Sequence, residues 1–165
     1  MSQGPKIIAT RLSAPENEGY ADKVELLDPV NGQQILSLPR FGTNPNGVSP
    51  KTGQPWYECE GQLAPGTYKY RCWNSPKHGK CLMLNGLGAC ATTRPDPANG
   101  GAMFARDVEV HTGFRSEDDP ANPGKPWRGS LCCQTVDPDD KEVFWSHFEI
   151  GNEGDYVLLD GLATA

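Results

Sequence analysis

The sequence predicts a mostly β fold, a single domain over residues 1–165 with one main helix and long loops. Three observations predict it. The 165-residue chain carries 19 Gly and 15 Pro, which favours many turns and disfavours a helical bundle. Its apolar residues come in short runs of strand length, bounded by turn formers. A single stretch, near the C-terminus, joins helix-start signals to helically spaced aromatics. Disorder is the competing reading of so much Gly and Pro, but four Trp, five Tyr and five Phe supply a core.

The elements follow in order. KIIATRL is a strand, and DKVELLD and QQILSLPRF flank Pro-Val-Asn-Gly, which reads as a hairpin. Residues 42–55 are nearly all turn formers and read as a long loop. WYECEG is a short strand. LAPGTYKYRCW turns at Pro65-Gly66 and then alternates, with Tyr68, Tyr70 and Cys72 on one face. SPKHGK is a turn and CLMLNG a strand. Residues 91–102 read as a second, flexible loop. DVEVHTG is a strand with Val108 and Val110 on one face, running out at His111. Residues 115–126 form a third loop, acidic and Pro-rich, and GSLCCQTV leads from it into a strand. PDDKEVFWSHFEI is the helix: Asp137 caps it, Pro138 suits the first position, and Phe144 and Phe148 share a face with Val143 beside them. Gly151 ends it, and DYVLLDG is a last strand.

Several function classes are disfavoured. The net charge of −6 gives no attraction to nucleic acid or to an anionic membrane. No segment is apolar enough for long enough to span a bilayer. The N-terminal residues hold no signal-peptide stretch, so the expectation is a cytoplasmic chain, one exported without a cleaved signal, or one whose leader has been removed. The six cysteines are Cys59, Cys72, Cys81, Cys90, Cys132 and Cys133. Their spacings match no zinc pattern, so they read as small buried residues with one or two disulfides at most, and no metal is expected.

Acyl transfer by cysteine needs a thiolate, a base to form it and donors for the oxyanion. His111 stands at a strand end and Cys133 at a loop-to-strand junction. Gly129 and Ser130 before it allow a tight turn whose N–H groups converge. If the two strands are neighbours, imidazole and thiol meet at one edge of the sheet. By spacing alone, a surface His and two buried cysteines is the plainer reading.

The segments V-E-V-H-T-G and G-S-L-C-C-Q-T resemble the motif of the L,D-transpeptidases of bacterial cell walls (the YkuD-like family), a His strand followed by Ser-x-Gly-Cys. The hairpin over VELLD-PVNG-QQILSLPRFGT, the LAPGTYKY segment, and the helix and strand after the Cys follow the family's order. The resemblance therefore runs over about residues 22–160. It implies an L,D-transpeptidase-like β-sandwich or mixed sheet, with Cys133 as nucleophile, His111 as base and Ser130 as the family's serine. Backbone N–H groups of Leu131, Cys132 and Cys133 would hold the oxyanion. Gly113, Trp127 and Arg128 border the motif and read as cleft residues. The family often orients its His through a backbone carbonyl. Cys132 stands where the family has Gly, Leu131 replaces a commonly polar residue, and Thr135 replaces an Arg or Asn. Alternation on a strand lets only one of the adjacent thiols face His111, and the motif assigns Cys133.

What the resemblance implies is acyl transfer on a peptidoglycan stem peptide, as transpeptidase or L,D-carboxypeptidase, without a cofactor. The place of action is then the bacterial periplasm or cell wall. An exported effector, with an immunity or delivery partner, or a phage-encoded protein fits the missing signal. The alternative is a catalytically inactive or redox-regulated protein on the same fold, with Cys132 and Cys133 structural. His78 reads as a solvated turn residue and His147 as an exposed helix residue. Glu117, Asp118 and Asp119 read as solvated charge, and Trp56, Trp73 and Trp127 as core or loop anchors.

Overall fold

β-prone runs placed as the sequence places them build one large curved sheet and two two-stranded ones in the computed structural model. It describes residues 2–12, 22–42, 53–54, 62–115, 127–128 and 132–161. The strands are β1 (Lys6–Arg11), β2 (Asp22–Leu27), β3 (Gln34–Gly42), β4 (Gly66–Ser75), β5 (Gly79–Leu84), β6 (Cys90–Asp96), β7 (Ala102–Ala105), β8 (Glu109–Thr112), β9 (Phe114–Arg115), β10 (Trp127–Arg128), β11 (Gln134–Val136) and β12 (Glu153–Asp160). Among the described residues, eight strands close into a barrel in the order β1-β12-β4-β5-β8-β11-β3-β2. The sheet is mixed: β1–β12 and β8–β11 pair in parallel, the other neighbours antiparallel. The expected mostly β, mixed-sheet fold is therefore present, and closure leaves the sheet no open edge.

Period-two alternation decides what fills the barrel. Ile7 and Ala9 of β1 stand opposite Leu26 and Val24 of β2 and opposite Tyr156 and Leu158 of β12, and all six are buried. Tyr156 pairs with Tyr68, Tyr70 with Leu84, and Cys72 with Leu82. Leu82 faces Val110, which faces Gln134. Gln134 is a fully buried amide, and it is satisfied: its Oε1 accepts from the Tyr156 hydroxyl at 2.8 Å, and its Nε2 donates to the Cys132 carbonyl at 3.0 Å. The Arg11 guanidinium, also buried, donates to the Leu63 carbonyl at 2.8 Å and lies close to Asp22.

Two expectations are corrected. The predicted helix is a 3-10 turn, Pro138–Asp140, followed by only five α-helical residues, α1 (Lys141–Trp145). Asp137 caps it as expected, its side chain accepting from the Asp139 N–H at 2.8 Å. The helix stops early because the His147 and Phe148 N–H groups bond three residues back, to the Phe144 and Trp145 carbonyls, and the Glu149 N–H goes to the Asn152 side chain. Gly151, at φ +94°, therefore belongs to the turn entering β12 rather than to a helix end. Phe144 and Phe148 do pack together, 5.2 Å between centroids, whereas Val143 is exposed.

Second, residues 91–102 are not a loop. β6 and β7 form a hairpin whose tip carries Gly100 and Gly101, at φ +65° and +83°. The Asn99 amide closes the tip onto Asp96 at 2.6 Å. The strand ahead of it is fixed by tertiary partners, since Thr92 bridges to Leu63 and the Thr93 N–H donates to the Gln62 carbonyl. The predicted hairpin of β2 and β3, turning at Gly32 with φ +72°, is present. The strand WYECEG, nearly all of the loop over 42–55, Cys59, Trp56 and the acidic residues 117–119 lie outside the described residues. Among the described residues, no helix is long and apolar enough to cross a membrane.

Candidate active site

The chain enters β8 through Asp107, a non-glycine residue at φ +57° whose N–H donates to the Leu87 carbonyl. From there alternation turns Val108 and Val110 toward the core, and Glu109 and His111 to the other face. The neighbouring strand is β11. The two are parallel, with Gln134 opposite Val110, Thr135 opposite His111 and Val136 opposite Thr112. The Gly113 N–H continues the ladder to the Val136 carbonyl at 2.9 Å. The segments carrying His111 and Cys133 are thus side by side.

The same register puts Cys133 opposite Glu109. Its sulfur accepts from the Glu109 N–H at 3.3 Å and donates to the Asp107 carbonyl at 3.8 Å. A backbone donor on sulfur stabilises negative charge there. Cys133 lies one residue ahead of the Gln134–Val110 pair, so it is offset from His111 by two residues. At about 3.3 Å per residue along the strand and about 4.8 Å across, their Cβ positions are roughly 8 Å apart. Register alone does not bring imidazole and thiol into contact.

His111 is buried, and its Nδ1 lies 2.8 Å from the Thr112 carbonyl oxygen. A carbonyl only accepts, so Nδ1 carries the hydrogen and Nε2 is the basic nitrogen of the neutral ring. The imidazole is also stacked on that of His78, 3.8 Å between centroids and 6° between planes. His78 is therefore not a solvated turn residue. Ser75 Oγ accepts from the N–H groups of Lys77 and His78, and Gly79 at φ +67° turns the chain into β5. That turn lays the ring back on β8. Burial lowers the pKa of His78 and Lys77 lowers it further, against the pull of Glu109.

Beside the stack lies Glu109, nearly buried. Its Oε2 accepts from Trp73 Nε1 at 3.0 Å and from the Cys81 thiol at 2.8 Å. Trp73 is thus a hydrogen-bonded member of this face rather than a loop anchor. Burial, then the Glu109 carboxylate, pushes the Cys81 thiol far above its usual range. On the other side Trp145 Nε1 donates to Thr112 Oγ1 at 2.9 Å, tying α1 to the end of β8.

The adjacent thiols differ. Cys132 packs against the core, and burial, then Cys133 and Cys90, pushes its pKa far up. Burial likewise raises Cys90 to about 11. The described cysteines, Cys72, Cys81, Cys90, Cys132 and Cys133, form no disulfide with one another. Thr135 is buried and donates to the Gly42 carbonyl at 2.9 Å, so it braces β11 against β3 instead of facing a ligand. Gly113 is buried beside the Thr112 end of the pair, and Trp127 and Arg128 form β10, paired with β9 directly after it. Gly129, Ser130 and Leu131 lie outside the described residues. Among the described residues, no group of three or more His, Cys, Asp or Glu side chains could hold a metal ion.

Glu109 was open to detection in the sequence, because V-E-V-H places it on the face of His111. His78 and Cys81 were not, since only the β5–β8 pairing brings them there.

No family model matches the chain, and no curated protein matches it. One solved structure is similar, that of an L,D-transpeptidase (Yku) from Stackebrandtia nassauensis, at 13% identity and a TM-score of 0.42. The match covers 98% of this chain and 58% of the other, so the chain spans a little over half of that structure's length.

Proposed function

We propose that this chain, as one domain, is a cysteine-dependent acyltransferase of the L,D-transpeptidase type acting on peptidoglycan stem peptides. The observation that carries the reading is the parallel pairing of β8 and β11. It brings the segments that carry Cys133 and His111 side by side, with the Glu109 N–H on the sulfur and the His111 Nδ1 at the Thr112 carbonyl. The motif resemblance supplies the substrate class.

In this reading Cys133 attacks the carbonyl of an L,D peptide bond as its thiol proton passes to His111 Nε2. The roughly 8 Å between Cβ positions is taken up by rotation of the Cys133 side chain or by one bridging water, as apo catalytic contacts commonly tighten only with substrate bound. The tetrahedral intermediate collapses to a thioester, and His111 returns the proton to the departing amine. An acceptor amine or water then releases the acyl group and regenerates the thiol. The buried Cys132 and Cys81 are held as neutral thiols and are poor nucleophiles. In this reading the place of action is the bacterial cell wall or periplasm.

Intact-mass measurement after exposure to a carbapenem, which acylates this family, tests the reading. The expected result is one adduct, kept in Cys132→Ala and absent in Cys133→Ala. No adduct on the reduced, folded protein at neutral pH would overturn it.

A further inference from the structure

The motif accounts for His111 but not for the second imidazole lying on it. We propose that His78 is a positioning residue for His111, and that the stacked pair binds one proton at a time. The inference rests on the reading of His111 as the base.

Two geometric facts carry it. The rings are 3.8 Å apart and within 6° of parallel, and His111 Nδ1 is already fixed by the Thr112 carbonyl. The hydrogen bond fixes the ring's edge and the stack fixes its plane. Together they hold both side-chain torsions of His111, which an unconstrained base would have to order during the reaction. The turn is built to deliver this contact: Ser75 Oγ takes two of its N–H groups, and Gly79 supplies the left-handed residue that returns the chain to β5.

The same closeness governs protonation. Two positive rings in face-to-face contact repel strongly when shielded from water, so the first proton on the pair opposes the second. Among the described residues, the charged and titratable groups around the pair come from four elements. On β8, Glu109 is bound to Trp73 and Cys81. On β5, Lys80 donates to the Trp145 carbonyl, and Cys81 is a neutral thiol. Lys77 shares the turn of His78 and opposes charge on it, Cys133 directly precedes β11, and α1 contributes the uncharged Trp145. Of these groups Glu109 is the one that pulls a proton toward the pair, and Lys77 opposes it.

The test is an NMR titration of the imidazole nitrogens in the wild type, His78→Phe and His78→Ala, beside the pH profile of Cys133 acylation. Phenylalanine retains a stacking ring that cannot be protonated. In the wild type two coupled steps are expected, separated by about one pH unit or more. His111 in His78→Phe should titrate in one step. Acylation should slow by about tenfold in His78→Ala and recover in large part in His78→Phe, which rules out a purely ionic role, while the two coupled steps of the wild type are what a purely space-filling role would not give. If His111 titrates independently in the wild type, with the same midpoint in both variants, the inference is overturned. A coupled titration in a protein whose Cys133 takes no adduct would support the pair and overturn the acyl-transfer reading alone.

Discussion

The two ends of the β8–β11 pair are held by different physics. At the Thr112 end side chains do the work. His111 is stacked on His78, Thr112 accepts from Trp145, and Phe144, Trp145 and Phe148 pack into one aromatic cluster. At the Glu109 end backbone does it. The Cys133 sulfur meets the Glu109 N–H and the Asp107 carbonyl, and β6 with β7 supplies a hairpin whose Cys90 lies close to both thiols. A base must keep one ring orientation, which packing provides. A nucleophile must move into a bond, which a sulfur on backbone groups at a strand's start can do. Side-chain substitutions should therefore disturb the proposed base, His111, and register changes the proposed nucleophile, Cys133.

The largest expected effect lies at the nucleophile end. Cys133→Ala should abolish acylation, while Cys132→Ala keeps it. Alkylation at pH 7.5 followed by peptide mapping should label Cys133 and spare Cys90, whose thiol ionises only near pH 11, and Cys132, also held neutral. Labelling of Cys132 in preference to Cys133 would erase the distinction between the two thiols. Next, His111→Gln should slow acylation by about 10²–10⁴-fold, the usual contribution of a positioned base, as read from adduct formation against time. A smaller loss would mean the packed end contributes no base.

Stability separates the ends next. Phe144→Ala removes a fully buried ring from the cluster at the base end and should cost about 3–5 kcal/mol in denaturant unfolding. It should also alter the His111 NMR titration. Leu63→Ala, at the hairpin end, should cost about 2–5 kcal/mol and leave that titration unchanged. Equal effects on His111 from both would dissolve the comparison. The smallest effect is at the helix cap. Asp137→Ala loses the bond to the Asp139 N–H and should cost about 1 kcal/mol, with acylation unaffected.

Much of the fold was legible in the sequence because strand alternation is local. Tyr68, Tyr70 and Cys72 read as one face and are one buried face, and Asn-Gly marked the β2–β3 turn. The short helix and the β6–β7 hairpin were misread where a distant partner outweighed local signals. Asn152 takes the Glu149 N–H that would extend the helix, and Leu63 gives Thr92 a strand partner. For the site, the sequence named His111 and Cys133 and offered Glu109 by alternation.

Periodicity and turn preference act over a few residues, so the alternating strands, the turns and the two residues proposed to carry the chemistry were readable along the chain. Only the tertiary structure decided that the sheet closes, that β8 and β11 lie parallel with a two-residue offset between His111 and Cys133, and that His78 stacks on His111. Those outcomes depend on strand partners far apart in the chain, and no local preference encodes which strands meet or in what register.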